Sequence, residues 1–303
     1  MSAPSLNAAL LLLADSRLPA GGHGHSGGAE AAIAAGTVRD LPTLAAFLRG
    51  RLATSGLVSA CLAAAACALS APAAGSGTAS APAGDDAGER GMPSPAARGR
   101  AAAGVAGGLL GGWTELDAEA DARTASPAQR EASRVQGRLL LRTARRIWPS
   151  PVLDGLAEAV PEGAHHPIAL GAAAGAAGCA PEEAALAAAY TSVTGPATAA
   201  VRLLGLDPVA VHRLLADLAP DLERTASTAT AAVTPGLEQT VSTVIAPGLE
   251  RAATAPSAHT ADSPPPSPAP TASAWAELPA HSAPALDLLA ERHLRAGLRL
   301  FVS

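Results

Sequence analysis

LLLLADSRLPAGGHGHSGGAE, residues Leu10 to Glu30, is the stretch against which the rest of the chain is read. It starts as a short apolar run, Leu10 to Ala14, and breaks at Asp15-Ser16 into a turn cluster, Leu18-Pro19-Ala20-Gly21-Gly22. His23-Gly24-His25-Ser26-Gly27-Gly28 follows, and Ala29-Glu30 opens an alanine-rich helical pattern. In a helix interior each glycine costs about 1 kcal/mol and a proline about 3. The stretch therefore reads as helix, loop, helix, with a loop backbone able to approach another surface closely. A phosphate cradle would need a G-x-x-x-x-G-K-[ST] or G-x-G-x-x-G pattern after a strand; neither a lysine nor a strand is present. His23 and His25 form an H-x-H pair, which marks a metal site only when further ligands join it. A surface loop with two solvated histidines is the plain reading.

Composition points to an all-α fold: a single helical-bundle domain carrying disordered insertions. The chain is 49% hydrophobic but only 2% aromatic, so its apolar content is mostly alanine and leucine. Alanine is the best helix former and β-branched residues are sparse. Small side chains bury little area each, so close helix approach must supply the packing. A net charge of -5 leaves no basic footprint for nucleic acid. The cysteines, Cys61, Cys67 and Cys179, form no C-x-x-C pair and read as small buried hydrophobes in a reducing cytosol. No Lys or Arg precedes the first apolar run, which argues against a secretory signal. Leu52 to Ala71 is uncharged and meets the length of a membrane span. Its Ala, Ser, Thr and Gly content favours a buried helix over a membrane or scaffold element.

Along the chain, Gly36 is a C-cap candidate, and Asp40 with Pro42 can start a helix bearing Leu44, Phe47, Leu48 and Leu52. Leu57 to Leu69 is apolar all round and should be central. Residues 1–254 are read as the helical domain, interrupted by a low-complexity insertion at 71–108. Trp113 to Trp148 is charged and helical, and its arginines read mostly as a solvated face with local ion pairs. His165-His166-Pro167 precedes a small-residue helix whose Gly171, Ala172, Gly175 and Gly178 would admit a close neighbour. Gly195-Pro196 should break or kink the helix after Pro181. Asp207-Pro208 starts another, with a stripe at Val211, Leu214, Leu215 and Leu218. Pro235-Gly236-Leu237-Glu238 recurs at Pro247-Gly248-Leu249-Glu250 and suggests two short helical pieces. Residues 255–283 read as a Pro/Ser/Ala-rich disordered linker, and 284–303 as a C-terminal helix and docking tail.

No G-x-S-x-G, H-E-x-x-H or other catalytic set occurs, so a non-enzymatic protein is expected. The ordered motifs do resemble a known family. L-x-L-A-D-S-x-L-P-x-G-G-x-x-x-S-x-G-x-E at Leu11 to Glu30 is similar to the N-terminal signature of the urease accessory protein UreF family. Leu116-Asp117 leading to an arginine-rich helix and Gln136-Gly137-Arg138-Leu139-Leu140-Leu141 resembles its central helix. Val201-Arg202-Leu203-Leu204 and the tail from His293 to Arg299-Leu300-Phe301-Val302-Ser303 resemble its second half and C-terminus. His23 and His25 stand where members usually carry aromatics.

The resemblance implies a cytoplasmic, dimerising, non-enzymatic chaperone without a cofactor of its own. It would bridge UreD, called UreH in some organisms, to the GTPase UreG for nickel insertion into the urease apoprotein. It further implies Leu18, Pro19, Gly21, Gly22, Ser26 and Glu30 as a loop near the dimer and UreG surface. His293, Arg299, Leu300 and Phe301 would form a docked tail on the UreD side. A nickel cation-binding protein using His23, His25, His165 and His166 directly stays open, because nickel accepts imidazole.

Overall fold

The computed structural model describes residues 7–15, 17–19, 24–70, 110–240, 273–295 and 300–301. Among the described residues the regular structure is helical, with no strand. In chain order the helices are α1 (Ala9–Ala14), α2 (Ala29–Ala34), α3 (Leu41–Arg51), α4 (Leu57–Leu69), α5 (110–122) and α6 (Pro127–Ile147). They continue as α7 (Pro151–Ala159), α8 (His166–Ala176), α9 (Pro181–Leu204), α10 (Pro208–Asp217), α11 (Ala219–Thr240) and α12 (Pro284–Leu294). The insertion 71–108 and the linker as far as residue 272 lie outside the described residues.

Local chemistry sets the expected starts. Asp40 and Thr43 form a reciprocal capping box on α3. The Asp207 carboxylate accepts from the Val209 and Ala210 amides at the head of α10. Val211, Leu214 and Leu218 are buried behind it, with Leu215 packed alongside.

α4 is the central helix, packed by α8, α9 and α11. Ala60, Ala63, Ala64, Ala65 and Ala66 have no exposed surface, and Cys61, Cys67 and Cys179 are buried free thiols. The α4–α8 approach depends on missing side chains. A Cβ on Gly171 would collide with the Ala63 carbonyl and come within 2.8 Å of Ala66 Cβ. One on Gly175 would collide with Ser70 Cβ and stand 2.9 Å from the Cys67 carbonyl oxygen. The Leu41–Leu69 helix is long and apolar enough to cross a membrane, yet 67% of its apolar window is buried inside the protein.

Three elements differ from the sequence reading. α3 and α4 are one continuous helix joined by a π-helical turn, Leu52–Gly56. α9 is not broken at Gly195-Pro196 but continues to Leu204. Proline cannot donate to the carbonyl four residues back, here that of Ser192, and Arg51 Nε supplies the replacement bond to that oxygen at 2.8 Å. Pro235 likewise sits inside α11 rather than before a new piece; the second copy of that repeat lies outside the described residues.

The C-terminal return begins earlier than the expected boundary at 283. Trp275 is 1% exposed and Leu278 4%, so these two side chains anchor a stretch that the sequence reading gave to the linker. Trp275 sits against Gly236, where a Cβ would come within 2.8 Å of its ring. Arg123, also ion-paired to Glu119, donates to the carbonyls of Trp275, Ala276, Leu278 and Pro279. Glu291 on α12 then accepts from the Ser126 hydroxyl at 2.6 Å and the Ala128 amide at 3.0 Å, at the head of α6.

Candidate functional site

Both ends of the chain meet at Glu30. Ser26 is fully buried and its Oγ accepts from the Glu30 amide at 3.3 Å, fixing the start of α2. Gly27 and Gly28 turn the chain at φ 56° and 85°, a region that disfavours side chains. A Cβ on Gly27 would also stand 2.9 Å from Pro196 Cγ. The Glu30 carboxylate then receives two successive backbone amides of the tail, Leu300 to Oε1 at 2.9 Å and Phe301 to Oε2 at 3.0 Å. His293 is buried, with Nε2 3.2 Å from the Phe301 carbonyl oxygen and 3.5 Å from Glu30 Oε2. The Phe301 ring is 9% exposed and wedges against Ala29 and Ala199, flanked by Phe47 and Leu203. Hydrogen bonds to a charged group are worth about 1.5–3 kcal/mol each, enough to hold a short tail that would otherwise fray.

The tail residues and the loop residue Glu30, expected on separate surfaces, are therefore in contact on this protein's own body. Leu18 packs against the core, and the Pro19 carbonyl accepts from the Thr143 hydroxyl at 2.9 Å. Gly21, Gly22, His23 and Arg299 lie outside the described residues.

Beside the clamp lies a cavity of about 370 Å³. His25, Arg51, Ser55, His166, Ser192 and Phe301 are among the groups lining it. Burial, with His25 adding to it, pulls His166 down to about 4, and burial also lowers His25. Below pH 6.5 the unfolded chain takes up protons at these imidazoles more readily than the folded chain does. Stability therefore falls as pH drops from 6.5 toward the folded value. Between pH 6.5 and 5 His166 is worth about 2 kcal/mol. Urea unfolding across that window should show the loss, and His166→Gln should remove part of the slope. An unchanged slope in the variant would mean that His166 protonates freely in the folded protein.

A second cluster ties α5, α6 and the start of α8 together. Arg134 Nη2 lies 2.9 Å from Asp117 Oδ2 and 2.7 Å from Asp121 Oδ2, while Nη1 donates to the Gly163 carbonyl at 2.8 Å. The Asp117 Oδ1 accepts the His165 amide at 3.0 Å, and His165 Nε2 is 2.9 Å from Asp121 Oδ1. Burial opposes ionisation of Asp121, but the bonds from His165 and Arg134 outweigh it and hold the carboxyl below its ordinary value. Burial lowers His165, against the pull of Asp121. Ligand atoms of Asp117, Asp121 and His165 lie within 4.8 Å of one another, a spacing a metal ion could use. The Arg134 guanidinium already supplies the positive charge between the two carboxylates. One turn on, Gly137 lets α6 press on the Ala164 carbonyl.

The UreF family profile matches residues 38–219. The urease accessory protein UreF of Mycolicibacterium vanbaalenii is 47% identical over 222 residues, covering 73% of this chain and 85% of that protein. That of Mycobacterium sp. strain JLS is 43% identical over 211 residues (70% and 79%), and that of Mycobacterium tuberculosis 41% over 224 (74% and 85%). The chain belongs to the UreF family. It is accordingly a urease accessory protein, a chaperone rather than an enzyme, working with other urease maturation factors.

The family motifs acquire physical meaning here. Asp117 of the Leu116-Asp117 motif and Arg134 of the arginine-rich helix meet Asp121 and His165 in one ion network, and Gly137 of Gln136-Gly137-Arg138 packs on the Ala164 carbonyl beside it. Most α6 arginines do face solvent, as expected, but Arg134 (12% exposed side chain) does not, and neither does Arg123 (5%) at the end of α5. The sequence reading did not distinguish these two, nor Arg51. The available signal was Asp117 beside Leu116 and Asp121 one turn later, a carboxylate pair requiring a cation.

Proposed function

We propose that this UreF-family protein is a cytoplasmic, dimerising chaperone that bridges UreD/UreH and the GTPase UreG for nickel insertion into urease. The observation that carries this reading is the Glu30–tail clamp. It holds the tail so that Leu300 is 73% exposed, while Leu288 and Leu294 on α12 are 68% and 52% exposed. Exposed apolar side chains on an anchored segment suit a partner surface, here assigned to UreD. On α1, Leu11 and Leu12 are 74% and 54% exposed; Tyr190 and Val209 are 39% and 75% exposed. These residues are offered for the dimer and UreG contacts, together with the loop of Leu18, Pro19, Gly21 and Gly22, with the buried Ser26 supporting it from within through its bond to the Glu30 amide. Nickel is cargo in this scheme, and direct capture by the histidines is disfavoured because Arg51 shares the cavity of His25 and His166.

The test is co-expression with the UreD and UreG of the same organism, followed by light scattering on the eluted peak. A complex with two copies of each subunit is expected. Glu30→Ala should lower UreD recovery at least tenfold with the helical content intact, because two amides and His293 lose their acceptor. Full UreD recovery by Glu30→Ala, and by a chain lacking residues 299–303, would overturn the tail assignment. Elution of the chain alone, with both partners soluble, would overturn the bridging reading.

A further inference from the structure

Arg51 is a cation with no carboxylate partner among the described residues. It ends α3 and enters the cavity, where its Nε bond to the Ser192 carbonyl uses one of its five N–H donors. Among the described residues no carboxylate lies within 4.0 Å of its guanidinium. Its Nη2 comes within 3.3 Å of the place a Gly27 Cβ would occupy, so the glycine turn opens onto it. Burial lowers it to about 10, and it stays charged at neutral pH. Arg51 is half-buried, and a partly desolvated charge without an ionic partner carries a cost that a bound anion would offset.

A second observation falls on the same wall. Ser55, in the π-helical turn that starts one residue after Arg51, lines the cavity and has a buried Oγ with no hydrogen-bond partner. Native proteins rarely leave such groups unmet, and π-turns recur at functional sites. Arg202 also lines the cavity and has no carboxylate within 4.0 Å among the described residues. The acidic groups on the lining are otherwise engaged, Asp15 with Arg17 and Asp287 with the Gln129 amide. An unmatched guanidinium and an unmatched hydroxyl both call for an acceptor-rich ligand, and a guanidinium repels a divalent cation.

We propose that the cavity at Arg51 and Ser55 binds a small free oxyanion of the phosphate and sulfate class. The guanidinium pairs with two of its oxygens, and the Ser55 hydroxyl donates to a third. The volume of about 370 Å³ leaves room for the ion with water. The cavity lining also includes His293 and Phe301 of the clamp, but the proposal rests on Arg51 and Ser55 and does not depend on the partner assignments above.

The experiment is calorimetric titration of the purified full-length protein with inorganic phosphate and with sulfate, chloride holding ionic strength constant. One saturable site and an anion-dependent rise in Tm are expected. Arg51→Met should weaken binding at least tenfold, and Ser55→Ala by several-fold. Because Arg51 also braces the Pro196 region, Ser55→Ala decides the matter if Arg51→Met fails to fold. Heats and Tm shifts no larger than those from added chloride would overturn the proposal. So would unchanged affinity in Ser55→Ala and in a folded Arg51→Met.

Discussion

Gly171→Ala is expected to destabilise the protein by about 3 kcal/mol, the upper end for overpacking. Taken alone, the substitution should help: alanine is better than glycine in a helix by about 1 kcal/mol. Here the new Cβ would enter the Ala63 carbonyl and crowd Ala66 Cβ at 2.8 Å. The colliding neighbour is backbone inside α4, which cannot rotate away as a side chain does. α4 and α8 would have to separate, loosening the most buried interface of the core. Gly155→Ala on α7 is the control: nothing lies within 4 Å of its Cβ, so stability should rise by up to about 1 kcal/mol. Urea unfolding of both variants checks the pair. A neutral Gly171→Ala would mean that the helices are not in this contact.

Arg134→Met should cost about 3–5 kcal/mol, the usual result of removing one partner from a buried ionic cluster. It leaves the Asp117 side chain, 6% exposed, without its guanidinium partner, while Asp121, 42% exposed, keeps His165 and Arg130 at 2.9 and 3.9 Å. The Asp117→Asn/Arg134→Met double variant should recover part of the loss, because it removes the stranded charge as well. The coupling between the two sites, read from a double-mutant cycle, is the decisive quantity. Additive losses would show that the two groups act independently. A loss under about 1 kcal/mol for Arg134→Met would place the cluster with ordinary surface ion pairs.

Much of the helical layout was legible because caps and periodicity are local. Asp40 with Pro42 and Asp207 with Pro208 announce helix starts through their own side-chain chemistry. Val211, Leu214 and Leu218 announce a buried face by spacing. The small-residue pattern of α8 was readable too, since Gly171 and Gly175 four apart can serve only one face of a helix. The motif order from Leu11 to Phe301 was enough to indicate the family. Proline was misleading for a definite reason. A sequence shows that Pro196 removes an N–H, but not that Arg51, 145 positions earlier, restores the lost bond to Ser192.

The sequence by itself determined an all-α chain, the starts of several helices and the spacing of the buried faces. Those properties arise from backbone propensity, side-chain caps and periodicity within a few residues. Only the tertiary structure decided which charges find partners. It set Arg134 between Asp117 and Asp121, brought Glu30 to the amides of Leu300 and Phe301, and left Arg51 beside an unmet Ser55. Electrostatic and hydrogen-bond energies depend on distance and burial, and both are fixed by helices that are remote in sequence and adjacent in space.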